Sequence, residues 1–184
     1  VVDVSFFDSL QWGTGWMWDD EPAPYQAYVS ALSLNKNCVW VVATPDTVDG
    51  TIVVTTDPVT NYVRMISTAT LATDSVVRPL TISRPISETP NTIVVSGEML
   101  RTDQPYRGQI TILWPEIYAG HVFKERLDSV GVEVAGGVQR GRAPSGTREH
   151  AWHVWGMDSV VINLNKVSDN LSAEMVLKTV AATL

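Results

Sequence analysis

Ser168-Asp169-Asn170 sets a hydroxyl, a carboxylate and a carboxamide side by side near the end of a 184-residue chain. A hydroxyl can pass a proton and a carboxamide can hold a carbonyl. The same residue types also open helices as caps. Residues two apart on a regular helix point about 200° apart, so Ser168 and Asn170 can face one cleft only from a turn that opens the following helix. Ser33-Leu34-Asn35-Lys36 has the spacing in which one helical turn sets a lysine beside a serine nucleophile. It lies, however, in strand-forming sequence, where side chains three apart face opposite sides. Lys178-Thr179-Val180 lacks the glycine that would let a strand approach a ligand closely, and it reads as helix surface.

The remaining candidates have simpler readings. His150 and His153 could share a helix face, but no third metal ligand stands nearby. Asp19, Asp20 and Glu21 suit a solvated turn beside Pro22 better than a cation site. Trp12, Trp16 and Trp18 suit packing around a tight glycine turn better than stacking on sugar rings. Cys38, the one cysteine, sits in the apolar run Asn37-Cys38-Val39-Trp40-Val41-Val42 and reads as a buried, inert thiol. No phosphate-binding glycine loop occurs.

Most of the chain that must position these residues is β-forming. Leu32-Ser33-Leu34 leads into Val39–Ala43, and strands are expected over Thr51–Thr55, Tyr62–Thr68, Leu80–Arg84 and Thr92–Met99. Gly and X-Pro punctuation divides them. After Gly108 comes a strand, Gln109–Leu113. A helix then carries Ala119, Val122, Phe123, Leu127 and Val130 at helical spacing and is closed by Gly131. Val132-Glu133-Val134 is expected as another strand, and this strand–helix–strand unit is expected to pair with the opening segment, Val1–Phe7. Residues 136–148 form a Gly-, Pro- and Arg-rich loop. Val160, Leu164, Val167 and Leu171 restore helical spacing.

A net charge of −7 without a basic cluster argues against nucleic acid, which needs Lys and Arg against its phosphates, and gives no help at anionic membranes. No run of eighteen apolar residues occurs, so no transmembrane segment is expected. The opening residues read as the middle of a strand and the closing ones as a helix just begun, so both ends suggest a piece of a longer protein.

The flanks of Ser168-Asp169-Asn170 are the most specific feature: Asn165-Lys166 before it and Leu171-x-Ala173-Glu174-x-x-Leu177-Lys178 after it. With Asp3–Asp8, Gly15-Trp16-Met17-Trp18-Asp19-Asp20, Tyr28–Asn35, Arg84-Pro85, Val95–Glu98, Trp114-Pro115-Glu116 and Leu127–Val134 in order, the chain resembles the D-alanyl-D-alanine carboxypeptidase/endopeptidase family, the class C low-molecular-mass penicillin-binding proteins. Ser-Asp-Asn is one of three motifs, with Ser-x-x-Lys and Lys-Thr-Gly, that build the site of serine penicillin-recognising enzymes.

The resemblance implies an α+β fold: a predominantly β inserted unit within a strand–helix–strand domain, followed by the first helices of a transpeptidase-like domain. It divides the chain into residues 1–43 and 108–138 as two parts of an inserted α/β domain, 44–107 as a β domain nested in it, and 139–184 as the start of the catalytic segment. It implies that Ser168 relays a proton to the departing amine and that Asn170 donates its amide to a substrate carbonyl. The parent would be a serine-type D-Ala-D-Ala carboxypeptidase acting on peptidoglycan stem peptides through an acyl-enzyme. It would take no metal or cofactor, bind beta-lactams and lie outside the cytoplasm. The chain alone, without a helical Ser-x-x-Lys or a Lys-Thr-Gly, is expected to be inactive. Two other readings remain: a non-catalytic peptidoglycan-binding module using the β unit and its aromatics, and an insertion that only shapes and shields a cleft.

Overall fold

A computed structural model describes residues 1–73, 77–85 and 87–184. It is a mixed α+β structure of small sheets and three α-helices. The first sheet follows from β-branched alternation. β1 (Cys38–Asp46) buries Val39, Val41 and Ala43 and turns Trp40 outward. It pairs antiparallel with β2 (Thr51–Asp57) on one side and β8 (Tyr106–Thr111) on the other. Along the chain, the segments between β2 and β8 form a second sheet. In it β6 (Thr92–Ser96) is central, parallel to β3 (Arg64–Ser67) and antiparallel to β5 (Thr81–Ser83). The short β4 (Thr70–Leu71) and β7 (Glu98–Met99) pair parallel. Gly97, at φ +108°, separates β6 from β7, and a Cβ there would lie 2.4 Å from the Pro79 carbonyl oxygen, so only glycine fits.

Ile93 and Val95 of β6 close on Val39, Val41, Ile110 and Ile112, and α1 (Pro115–Ser129) adds Tyr118 and Val122 to form the main core. Asn91 joins the sheets: its Oδ1 accepts from the Leu113 amide at 2.7 Å and its Nδ2 donates to the Leu113 carbonyl at 3.2 Å. β2 to β7 fall within residues 44–107, while β1 and β8 straddle the ends of that range.

The structure departs from the sequence expectations at several points. Val132-Glu133-Val134 is a non-repetitive segment rather than a strand, with Val132 and Glu133 exposed and Val134 half-buried; no backbone among the described residues forms a ladder with it, and the Val134 carbonyl accepts from Lys124 Nζ at 2.8 Å. Val1–Phe7 is not a strand either. Asp3 Oδ1 takes the Ser5 amide and the Val4 carbonyl takes the Phe7 amide, which bend the segment, leaving one parallel bridge from Val2 to Arg140. β8 pairs with β1 rather than with the opening segment. α1 does end as expected, at Gly131 with φ +84°.

α2 (Met157–Val167) and α3 (Asn170–Thr183) complete the chain. No helix among the described residues is long and apolar enough to cross a membrane.

Candidate active-site turn

Val160, Leu164, Val167 and Leu171 keep helical spacing, yet the helix does not run through. Ser168 adopts φ 54°, ψ 51°, closing α2 in the left-handed region, and Asn170 begins α3. A non-glycine residue in that region is uncommon, and the break frees Ser168 and Asn170 from the opposed directions of a regular helix. Both are exposed. The amides of Ser168 and Asp169 both point to the Leu164 carbonyl, Asp169 at 3.0 Å.

Three neighbours hold the turn. Asn170 Nδ2 donates to the Tyr25 carbonyl at 3.0 Å, which leaves its second N–H and its carbonyl oxygen for another partner. Leu171 is buried against Ala27, Val29 and Cys38, with Phe7 and Met175 beside them. Asp169, the N-cap of α3, makes no side-chain bond to the helix amides; its Oδ2 takes Lys36 Nζ at 3.1 Å and Ser172 Oγ at 2.8 Å. Asp169, Ser172, Lys36, Ser33, Asn163 and Trp155 line a cavity of about 620 Å3 beside the turn.

Ser33-Leu34-Asn35-Lys36 is not in a strand, as the sequence suggested. Asn35, Lys36 and Asn37 take φ 50°, 56° and 55°, a left-handed turn that directs Lys36 to Asp169. Lys178 lies on α3 and pairs with Asp8, holding that carboxyl below its usual range. Burial pushes the Cys38 thiol up to about 12, with nearby Lys36 opposing the shift and Asp169 adding to it.

The other sequence candidates fall elsewhere. Glu21 is not solvated: it takes Tyr28 Oη at 2.7 Å and pairs with Arg84, whose side chain is 6% exposed. Trp18 is 68% exposed rather than packed, while Trp12 stacks on Tyr28 with ring centres 5.0 Å apart. His150 and His153 lie in exposed, non-helical chain before α2. No group of three metal-ligating side chains occurs among the described residues.

Lys36 and the Tyr25 carbonyl are the contributors that sequence reasoning missed, whereas Leu171 stood out there by its apolar spacing. Asn-Lys-Asn carried a signal for Lys36, since asparagine is enriched in the left-handed region. A backbone carbonyl gives no signal.

Known proteins share this arrangement of segments. The sequence profile of the D-Ala-D-Ala carboxypeptidase 3 (S13) family matches residues 1–184. The D-alanyl-D-alanine carboxypeptidase of Actinomadura sp. (strain R39) is 29% identical, across 97% of this chain and 35% of that protein. The D-alanyl-D-alanine carboxypeptidase DacB of Haemophilus influenzae is 24% identical, across 98% of this chain and 38% of that protein. The crystal structure of penicillin binding protein 4 (dacB) from Haemophilus influenzae superposes with a TM-score of 0.70 at 19% identity, over 97% of this chain and 40% of that one. The chain thus spans a little over a third of the length of the curated relatives it matches. With the profile covering every residue, the chain belongs to the D-Ala-D-Ala carboxypeptidase 3 (S13) family.

Proposed function

We propose that this chain supplies Ser168 and Asn170 to the cleft of a serine-type D-Ala-D-Ala carboxypeptidase that trims peptidoglycan stem peptides outside the cytoplasm. The observation that carries the reading is the left-handed break at Ser168, which presents an exposed hydroxyl and an exposed carboxamide from one anchored turn. Residues 1–43 and 108–138 are two parts of an inserted domain, 44–107 is nested within it, and 139–184 is the returning catalytic segment.

In this reading a serine outside these 184 residues attacks the carbonyl of the terminal peptide bond. Its oxygen forms the ester as the C–N bond breaks, and water later hydrolyses the ester. The Ser168 hydroxyl relays the proton to the departing amine nitrogen. Asn170, with one N–H on the Tyr25 carbonyl, turns the other to the substrate carbonyl and fixes it for attack. A beta-lactam acylates the same serine.

The test is acylation by a labelled penicillin. The intact protein labels and the 184-residue chain does not. Ser168→Ala and Asn170→Ala each slow labelling of the intact protein by about 100-fold, the size expected for a lost proton relay or orienting contact. Labelling of the isolated chain, or an intact protein that never labels, would overturn the reading.

A further inference from the structure

We propose that Lys36 is a positioning residue for the Ser168–Asn170 turn, acting through Asp169. The inference rests on the function proposed above for that turn. The middle residue of Ser168-Asp169-Asn170 carries the argument. An aspartate at an N-cap ordinarily accepts a backbone N–H of its own helix. Asp169 does not. Its carboxylate, only 10% exposed, is turned toward Lys36 Nζ at 3.1 Å. Its backbone is committed at the same time, with the amide on the Leu164 carbonyl and the carbonyl on the Ala173 amide. The rotation of Asp169 therefore sets the directions of its two neighbours, Ser168 and Asn170.

Lys36 is held in turn. Three consecutive non-glycine residues, Asn35, Lys36 and Asn37, sit at positive φ, an arrangement that persists only where surroundings impose it. Asn37 imposes it. Fully buried, it accepts from Ser33 Oγ at 2.8 Å and the Leu34 amide at 3.3 Å, and donates from Nδ2 to the Tyr28 carbonyl at 2.7 Å. Its carbonyl takes the Ile112 amide at 3.1 Å, which fixes the turn to the end of β8. The main sheet is thereby linked through one ammonium group to the Ser-Asp-Asn turn. The lysine is half exposed, which discounts the pair's worth for stability. Asp169 beneath it is nearly buried, so loss of the ammonium both frees the orientation of the turn and leaves a poorly solvated carboxylate. The Ser33-x-x-Lys36 spacing that mimics a nucleophile pair serves as this bracket, with Ser33 bonded to Asn37 and Lys36 to Asp169.

The experiment compares Lys36→Met, Lys36→Arg and Asp169→Asn by NMR and amide exchange in the 184-residue chain, and by penicillin acylation in the intact protein. In Lys36→Met and Asp169→Asn the amide signals of Ser168 and Asn170 shift and exchange at Asp169 and Ala173 quickens, while Tm falls less in Asp169→Asn, which leaves no unpaired charge, than in Lys36→Met. Acylation by the intact protein falls about tenfold in both, as for a misplaced orienting group. Lys36→Arg, which keeps the charge, restores both readouts. Unchanged Ser168 and Asn170 signals in folded Lys36→Met, or an arginine variant as impaired as the methionine one, would overturn the proposal. An intact wild-type protein that does not label would remove the enzymatic reading, whereas the NMR comparison would still decide the positioning role.

Discussion

Arg84 and Glu21, 63 residues apart in sequence, form a largely buried ion pair, with side chains 6% and 14% exposed. Arg84 Nε also donates to the Thr111 carbonyl at 3.1 Å, and Glu21 also accepts from Tyr28. One guanidinium thus holds the end of β5, the end of β8 and the Trp-rich opening segment together. Removing one partner leaves the other charge buried and uncompensated, so Arg84→Met is expected to destabilise by about 3–5 kcal/mol. Adding Glu21→Gln should recover much of that loss. The urea midpoints of the single and double variants are the measurement, and equal destabilisation in both would count against this account.

Leu171 is the apolar anchor of the Ser-Asp-Asn turn. Leu171→Ala opens a cavity against Ala27, Val29 and Cys38 and is expected to destabilise by about 2–4 kcal/mol. Leu171→Met, close in volume, should stay within about 1.5 kcal/mol of the parent. Thermal unfolding of the two variants checks the difference.

Cys38 has a pKa raised from 9.0 to about 12 by burial. A raised value means that stability is complete below pH 9 and declines as pH climbs from about 9 toward 12. Burial moves Tyr62 and Tyr118 from 10.0 to about 12, in the same direction. At pH 8 a thiol reagent should modify Cys38 only as the chain opens, at a rate that rises with urea. Modification of the native chain at the rate of a free thiol would contradict this.

Asp3 titrates in the opposite sense. The Ala143 amide, then the Ser5 side chain and amide, hold its carboxyl down to about 2 from 3.8. The contribution is present above pH 3.8 and disappears as pH falls toward 2, releasing Ala143 from the opening segment. In Asp3→Asn the Ala143 amide should exchange with solvent at neutral pH as it does in the acidified parent. An amide equally protected in both would show that the contact holds nothing.

The parts legible in the sequence were those whose cause is local. The alternation of β1, the β-branched runs of β2 and β6, and the periodicity and Gly131 stop of α1 each specify their own conformation. Val132–Val134 has strand-like composition but no pairing strand among the described residues, and a strand exists only through pairing. Glu21 looked solvated because its partner Arg84 lies in a distant segment. At the candidate site Ser168 and Asn170 were visible from residue type and flanks. What holds them was not, because Lys36 and the Tyr25 carbonyl meet them only after folding.

Asp57, where the chain leaves the first sheet, sits opposite Trp40, and Tyr106, where it returns, sits opposite Ala43 on the other side of β1. Arg107 spans the gap, bonded to Asp57 at 2.8 Å and lying over the Trp40 ring at 5.3 Å. The roughly fifty residues in between therefore form a cassette with a fastened mouth, and closing a longer loop costs only slowly more entropy as it grows. Over evolutionary time such a cassette can gain, shed or reshape its outer loops while the Cys38 end of β1, with Lys36 and its hold on Asp169, keeps its place.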